Sequence, residues 1–281
     1  MSQQPPLPQP PVCPRHPDRV SYVSCQRCGR PVCPECQRQA PVGVQCVDCV
    51  AQQRQAARTV RQVHPGRPTA TYGIIAVCVA VFVVQLAFPR FTMWFLDFTP
   101  YLPEQPYRML TAGFLHDSSR LVSMHLILNM ASLYFLGRVL EPAIGHARFL
   151  GVFLIGVIGG SVAVGFLGSP QDTVLGASGG IFALGGALLV LLRRDRQNLI
   201  AMAVILGINL AYGFIVSGVS WQAHVGGIVT GVLLGLLYSA GARVQRHTGA
   251  VQLVGSLVLA AALVVAGIYA GNLATAALLA R

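Results

Sequence analysis

Two groups of residues in this 281-residue chain have the types and spacing that chemistry requires. The first is polar and set into apolar runs: Ser178 in Gly176-Ala177-Ser178-Gly179-Gly180, His224 in WQAHVGGIVTG, and His125 with Asn129 in SMHLILNMASLYFLG. A serine hydroxyl attacks well only when a hydrogen-bonded base takes its proton, and histidine serves most often as that base. The second group is four chelating pairs, Cys13-x2-His16, Cys25-x2-Cys28, Cys33-x2-Cys36 and Cys46-x2-Cys49. Their eight ligands suffice for two tetrahedral zinc ions, with no position left open for a reactive water.

The serine has to find its partners. Gly176-x-Ser178-x-Gly180 formally matches the nucleophile elbow of soluble hydrolases, and the order Ser178, Asp195, His224 even matches their triad. Geometry rejects this. On one helix Asp195 stands about 25 Å from Ser178, within the charged cluster RRDRQ. All 20 basic residues are arginine, so a Ser-Lys dyad is excluded too. Each polar residue has a plainer explanation when taken alone. A serine among glycines lets helices pack closely, and a lone asparagine bonds a neighbouring helix. A histidine in an apolar span is costly and more often marks function. Ser178, His224, His125 and Asn129 all fall near the same end of three helices running in one direction, and that common depth points to a site.

The elements around them are read from composition. The chain is 54% hydrophobic and 10% charged, against about 25% charged in soluble domains. Apolar runs near 72–88, 122–140, 149–167, 174–192, 199–216, 220–238 and 251–275 each approach the length that crosses a bilayer. Residues 1–12 read as a disordered Pro/Gln tail, 13–50 as a cysteine-rich domain and 51–70 as a basic linker. A helical bundle follows over 71–240, and 241–281 adds one more span. No cleaved signal peptide is evident, so the first run would serve as an uncleaved anchor. Arg54, Arg58 and Arg61 have helical spacing and suit either anionic headgroups or a solvated linker.

The net charge of +11 does not point to nucleic acid, because the arginines lie at the edges of apolar runs. Arg138, Arg148, Arg193, Arg194, Arg196, Arg243 and Arg246 share one side, while Arg90, Arg108, Arg120 and Arg281 share the other. The richer side faces the cytoplasm. This puts the N-terminus inside, the C-terminus outside and Ser178 near the outer face of the plasma membrane. Residues 89–121 form a long outer segment whose FTMWFLDF and PYRML clusters suit the membrane interface.

Seven cysteines and one histidine in pairs argue against a disulfide framework, and a cytoplasmic position keeps thiols reduced. Such pairs often interleave, first with third and second with fourth. The pattern resembles B-box-type zinc fingers, although the last pair is Cys-Cys. Two structural zinc ions and a partner-docking role are expected for it.

The membrane region resembles the rhomboid intramembrane serine proteases over roughly residues 72–240. The matching elements are His125-x-x-x-Asn129, Gly176-x-Ser178-Gly179 and Ala223-His224-x-x-Gly227-x-x-x-Gly231. Tyr107-Arg108 stands where the family commonly has Trp-Arg, and Leu115-His116 and Glu141-x-x-x-Gly145 look architectural. The resemblance implies an all-α polytopic bundle of six spans plus one. It also implies a dyad of Ser178 as nucleophile and His224 as base, with no catalytic cofactor. The oxyanion donors would be the Ser178 N–H, Asn129 and His125. Gly176, Gly179, Gly227 and Gly231 would permit close approach, and Phe182 would pack on the His224 ring. Substrates would be transmembrane helices of other proteins, reached through the lipid. Two rivals stand beside this reading: an inactive relative that binds membrane helices without cutting them, and a transporter using the histidines as a polar path. A third treats the zinc domain as the functional part and the spans as its anchor.

Overall fold

The computed structural model describes residues 10–40, 43–52, 67–119, 123–216, 218–241 and 248–280. The chain divides into two compact units, Met1–His64 and Pro65–Arg281. The tail up to residue 9, the linker arginines Arg54, Arg58 and Arg61, and Arg120, Arg243, Arg246 and Arg281 lie outside the described residues.

Two short antiparallel ribbons organise the first unit. β1 (Val12–Cys13) pairs with β2 (His16–Val20), and β3 (Gln37–Gln39) pairs with β4 (Val44–Cys46). Gly29, at φ +71°, turns the chain back after Cys28 in a conformation that side-chain-bearing residues avoid. The buried cluster is Cys13, Cys25, Val32, Cys33, Cys36, Cys46 and Cys49. Val32 is its one aliphatic member, far too little apolar surface to offset the entropy of ordering this segment.

Among the described residues, seven long helices make the second unit: α1 (Thr69–Ala87), α2 (Met124–Ile144), α3 (His146–Leu167), α4 (Ser178–Leu192), α5 (Arg196–Ile215), α6 (Trp221–Gly241) and α7 (Thr248–Leu279). α1, α3, α5, α6 and α7 are long and apolar enough to cross a membrane. The expected all-α membrane bundle behind a small cysteine-rich domain is thus the observed architecture. Local chemistry sets several helix ends. The Ser123 hydroxyl accepts from Leu126 N–H at the start of α2, and the Asp195 carboxylate accepts from Asn198 N–H at the start of α5. Gly145, at φ +86°, ends α2 and opens α3.

Two spans differ from the sequence expectation in a way that bears on function. α7 runs 32 residues, longer than the 251–275 expected. α4 begins at Ser178 rather than at 174, because Thr173–Val174 form a strand, β6, that pairs with β5 (Asp97–Phe98). Its 15 residues rise only about 22 Å, less than a hydrocarbon core of ~30 Å. α4 is also the central helix: 11 of those 15 residues are buried. Sheathed by its neighbours, it need not span by itself.

Residues 88–119, between α1 and α2, are held by specific polar contacts. Arg108 is buried, and its guanidinium donates to the carbonyls of Met93 (2.9 Å) and Leu96 (2.8 Å) and to Gln105 Oε1 (2.6 Å). Ser161 of α3 donates to the buried Asp97 carboxylate. α7 braces the same segment, with Thr275 Oγ1 donating to the Pro100 carbonyl (3.3 Å). Phe88, Met93 and Trp94 are exposed.

At the opposite end of the bundle, Glu141 is fully buried and caps α1. Its carboxylate accepts from the N–H groups of Ala70 and Thr71, both at 2.8 Å, and from Thr71 Oγ1 at 2.5 Å. His146 Nδ1 adds a 2.5 Å contact. One side chain thus satisfies orphan donors of α1 from the last turn of α2.

Candidate active site and metal centres

The starts of α2, α4 and α6 bring His125, Asn129, Ser178 and His224 to the wall of one cavity of about 670 Å³. Ser178 opens α4, where unpaired backbone N–H groups and the positive end of the helix dipole collect. Gly176, at φ +126°, makes the turn before it, and the Gly176 N–H donates to the Ala112 carbonyl at 2.9 Å.

α6 presses against α4 because its contact residues lack side chains. A Cβ on Gly227 would strike the Gly179 carbonyl, and one on Gly231 would strike the Ala183 carbonyl. His224 stands in the first turn of α6, and its ring stacks on Phe182 of α4 with centroids 4.0 Å apart and planes inclined by 16°. Its Nδ1 is buried without a hydrogen-bond partner among the described residues. The imidazole is therefore oriented by an aromatic face rather than by a carboxylate.

The third wall comes from α2. His125 Nε2 lies against the Gly176 backbone, 2.8 Å from where a Cβ would sit, and Ser178 Oγ is 4.0 Å from the same point. Asn129 is buried and spends one N–H on the His125 carbonyl (2.8 Å), leaving a second for the cavity. The expected residues Ser178, His224, His125, Asn129, Gly176, Gly179 and Phe182 all line this cavity. Arg108 and Glu141 do not; they hold the loop and the far end of the bundle.

Gln85, Asp97 and Ser161 are among the buried polar residues that the sequence motifs did not single out. Asp97 and Ser161 both line the cavity, and Asp97 Oδ1 has no partner among the described residues. A glutamine inside VFVVQLAF was a readable signal, since polar side chains inside spans are rare and costly.

In the first unit the pairs interleave. Cys13, His16, Cys33 and Cys36 form one group and Cys25, Cys28, Cys46 and Cys49 the other, with each group's ligand atoms within 4.8 Å of one another. Zn–S bonds of about 2.3 Å place tetrahedral thiolates about 3.8 Å apart, and Cys28 Sγ and Cys46 Sγ are separated by 3.8 Å. His16 Nδ1 lies 3.3 Å from Cys33 Sγ and 3.4 Å from Cys36 Sγ, near the ~3.5 Å expected of a mixed N/S tetrahedron. Donors surround the thiolates: Cys46 N–H reaches Cys25 Sγ (3.2 Å), and Arg30 Nε reaches Cys28 Sγ (3.3 Å). Both groups can hold a metal ion, and the soft donor set suits zinc.

Residues 103–241 match the family described as Rhomboid domain. Among curated relatives, the Rhomboid protease GluP of Bacillus subtilis (strain 168) is 35% identical over 156 residues, covering 53% of this chain and 30% of that protein. RHOMBOID-like protein 4 of Arabidopsis thaliana is 30% identical over 141 residues, 48% of this chain and 34% of the relative. Rhomboid-related protein 3 of Homo sapiens is 30% identical over 175 residues, 56% and 42% respectively. The chain spans less than half the length of each of these relatives.

Proposed function

We propose that this chain, which matches the Rhomboid domain over residues 103–241, is an intramembrane serine endopeptidase acting through Ser178 and His224. The observation that carries the reading is the helix-start serine sharing one cavity with a stacked, buried histidine, on a central helix too short to span.

His224 takes the Ser178 Oγ proton as the oxygen attacks a peptide carbonyl, and returns it to the departing amine as the C–N bond breaks. Water then hydrolyses the acyl ester on Ser178, again through His224. The oxyanion forms beside the Ser178 N–H, His125 and Asn129, where fixed donors and the helix dipole favour negative charge. The substrate is a transmembrane helix of another protein, unwound near the outer face so that an extended strand reaches Ser178. By the arginine distribution, the N-terminus is cytoplasmic and the cavity opens outward in the plasma membrane. The zinc domain holds two structural ions and docks a cytoplasmic partner. Cys13, His16, Cys33 and Cys36 hold one ion and Cys25, Cys28, Cys46 and Cys49 the other, and the metal supplies cross-links rather than catalysis.

A fluorophosphonate serine probe tests this without a known substrate. The parent in native-like membranes is expected to label, while Ser178→Ala and His224→Ala do not. A parent that labels no better than Ser178→Ala, both at full length and as residues 70–281, would move the assignment to a relative that binds helices without cutting them.

A further inference from the structure

Gln85 lies near the end of α1 with 1% of its surface exposed, inside an otherwise apolar run. Its side-chain amide is fully used. Oε1 accepts from the His116 N–H at 3.0 Å, while Nε2 donates to the His116 carbonyl at 2.9 Å and to Thr92 Oγ1 at 2.9 Å. One amide therefore grips both backbone polar groups of a single residue, much as a strand neighbour would. The next residue in the chain, Asp117, donates its backbone N–H to His125 Nδ1 at 3.3 Å. A ring nitrogen that accepts a hydrogen bond carries no proton, so the proton of the neutral imidazole sits on Nε2. Nε2, together with Cε1, borders the Gly176 backbone, two residues ahead of Ser178.

We propose that Gln85 is a positioning residue: by clamping the backbone of His116 it aims the Asp117 N–H at His125 Nδ1 and holds His125 as the Nε2–H tautomer. The hydrogen-bonded series runs from α1, through the segment before α2, to an α2 side chain at the cavity wall. Without the clamp, the 116–117 backbone is free to shift and His125 can carry its proton on either nitrogen. An Nδ1–H tautomer would turn a lone pair toward the Gly176 turn and repel an oxyanion there. The consequence for turnover rests on the protease reading above; the tautomer itself does not.

The test is ¹⁵N NMR of histidine-labelled full-length protein in lipid nanodiscs, with the His125 signals assigned by their loss in His125→Ala. The parent is expected to show an unprotonated Nδ1 and a protonated Nε2. Gln85→Leu is expected to give a tautomer mixture and to lower the rate of fluorophosphonate labelling about 10-fold or more, short of losing a whole oxyanion donor. Thr92→Val removes the other acceptor of Gln85 and is expected to keep both the tautomer and the labelling rate. Parent His125 protonated at Nδ1 would overturn the proposal, with no variant needed. So would Gln85→Leu with the parent's tautomer intact, since a merely structural tether would leave that signature alone. A parent that never labels, yet loses its Nε2–H tautomer in Gln85→Leu, would sink the protease reading and leave the clamp standing.

Discussion

The zinc-binding unit and the membrane bundle both place polar side chains where water is scarce, and they do it by opposite means. In the first, the functional residues are the core: six of the seven residues in the buried cluster are cysteines of the two metal groups. In the second, the polar residues hang on a core that would exist without them, a continuous cluster that includes Leu133, Leu140, Phe149, Phe153, Leu184 and Leu234. A metal-built core is switched on or off by one ligand. A packing-built site is tuned by small shifts of helices that remain folded either way.

Metal removal should separate the two most widely. An excess of chelator on the full-length protein is expected to release two zinc ions per chain and collapse the NMR dispersion of residues 10–52, since structural zinc is worth about 10–16 kcal/mol to such domains. The helical circular dichroism of the bundle should not change. N-terminal resonances that stay dispersed without metal would mean that packing, not metal, holds this unit together.

A smaller effect is expected at Asp97, where the bundle buries a carboxyl without a full set of partners. Burial pushes this group up to about 6 from its ordinary 3.8, against the pull of the Ser161 hydroxyl and the Arg108 guanidinium. The folded chain holds the proton more tightly than the unfolded chain does. That stabilisation is complete below about pH 4 and is lost as pH rises through about 6. Asp97→Asn should therefore raise the thermal midpoint at pH 7.5 by the equivalent of about 3 kcal/mol and do little at pH 4. A variant that melts lower at pH 7.5 would show that the ionised carboxylate is needed.

The least change is expected from Phe182→Ala, which removes the stacked face beneath His224 and leaves the helices in place. Probe labelling should slow about 10-fold, roughly 1.4 kcal/mol of lost orientation, with the melting midpoint shifted far less than the rate. An unchanged rate would mean that the His224 ring is held by something other than the stack.

The candidate metal ligands were legible because chelation is partly local: a two-residue spacer already puts both ligands on one turn. The residues that line the cavity were legible as a shared depth, since Ser178, His224, His125 and Asn129 each recur near the start of an apolar run. Their contacts were not. α4 starting at Ser178 rather than at 174 follows from the pairing of β5 with β6, across some 75 residues of chain. The glutamine in VFVVQLAF stands out as polar in an apolar run, but its partners at Thr92 and His116 come only from the fold.

Sequence alone determined the composition that demands lipid, the seven apolar runs, the eight ligands in four pairs and the polar residues at one end of three helices. These follow from period, spacing and the cost of burying polar groups, all of which act along the chain. Tertiary structure decided which Cys and His pairs come together, that the Phe182 ring stacks on His224, and that Gln85 reaches His125 through a backbone. Those outcomes depend on which surfaces meet, and helices meet where glycines such as Gly227 and Gly231 let backbones touch. A residue's type limits what it can bond; only the packed fold supplies the partner within 3 Å or so.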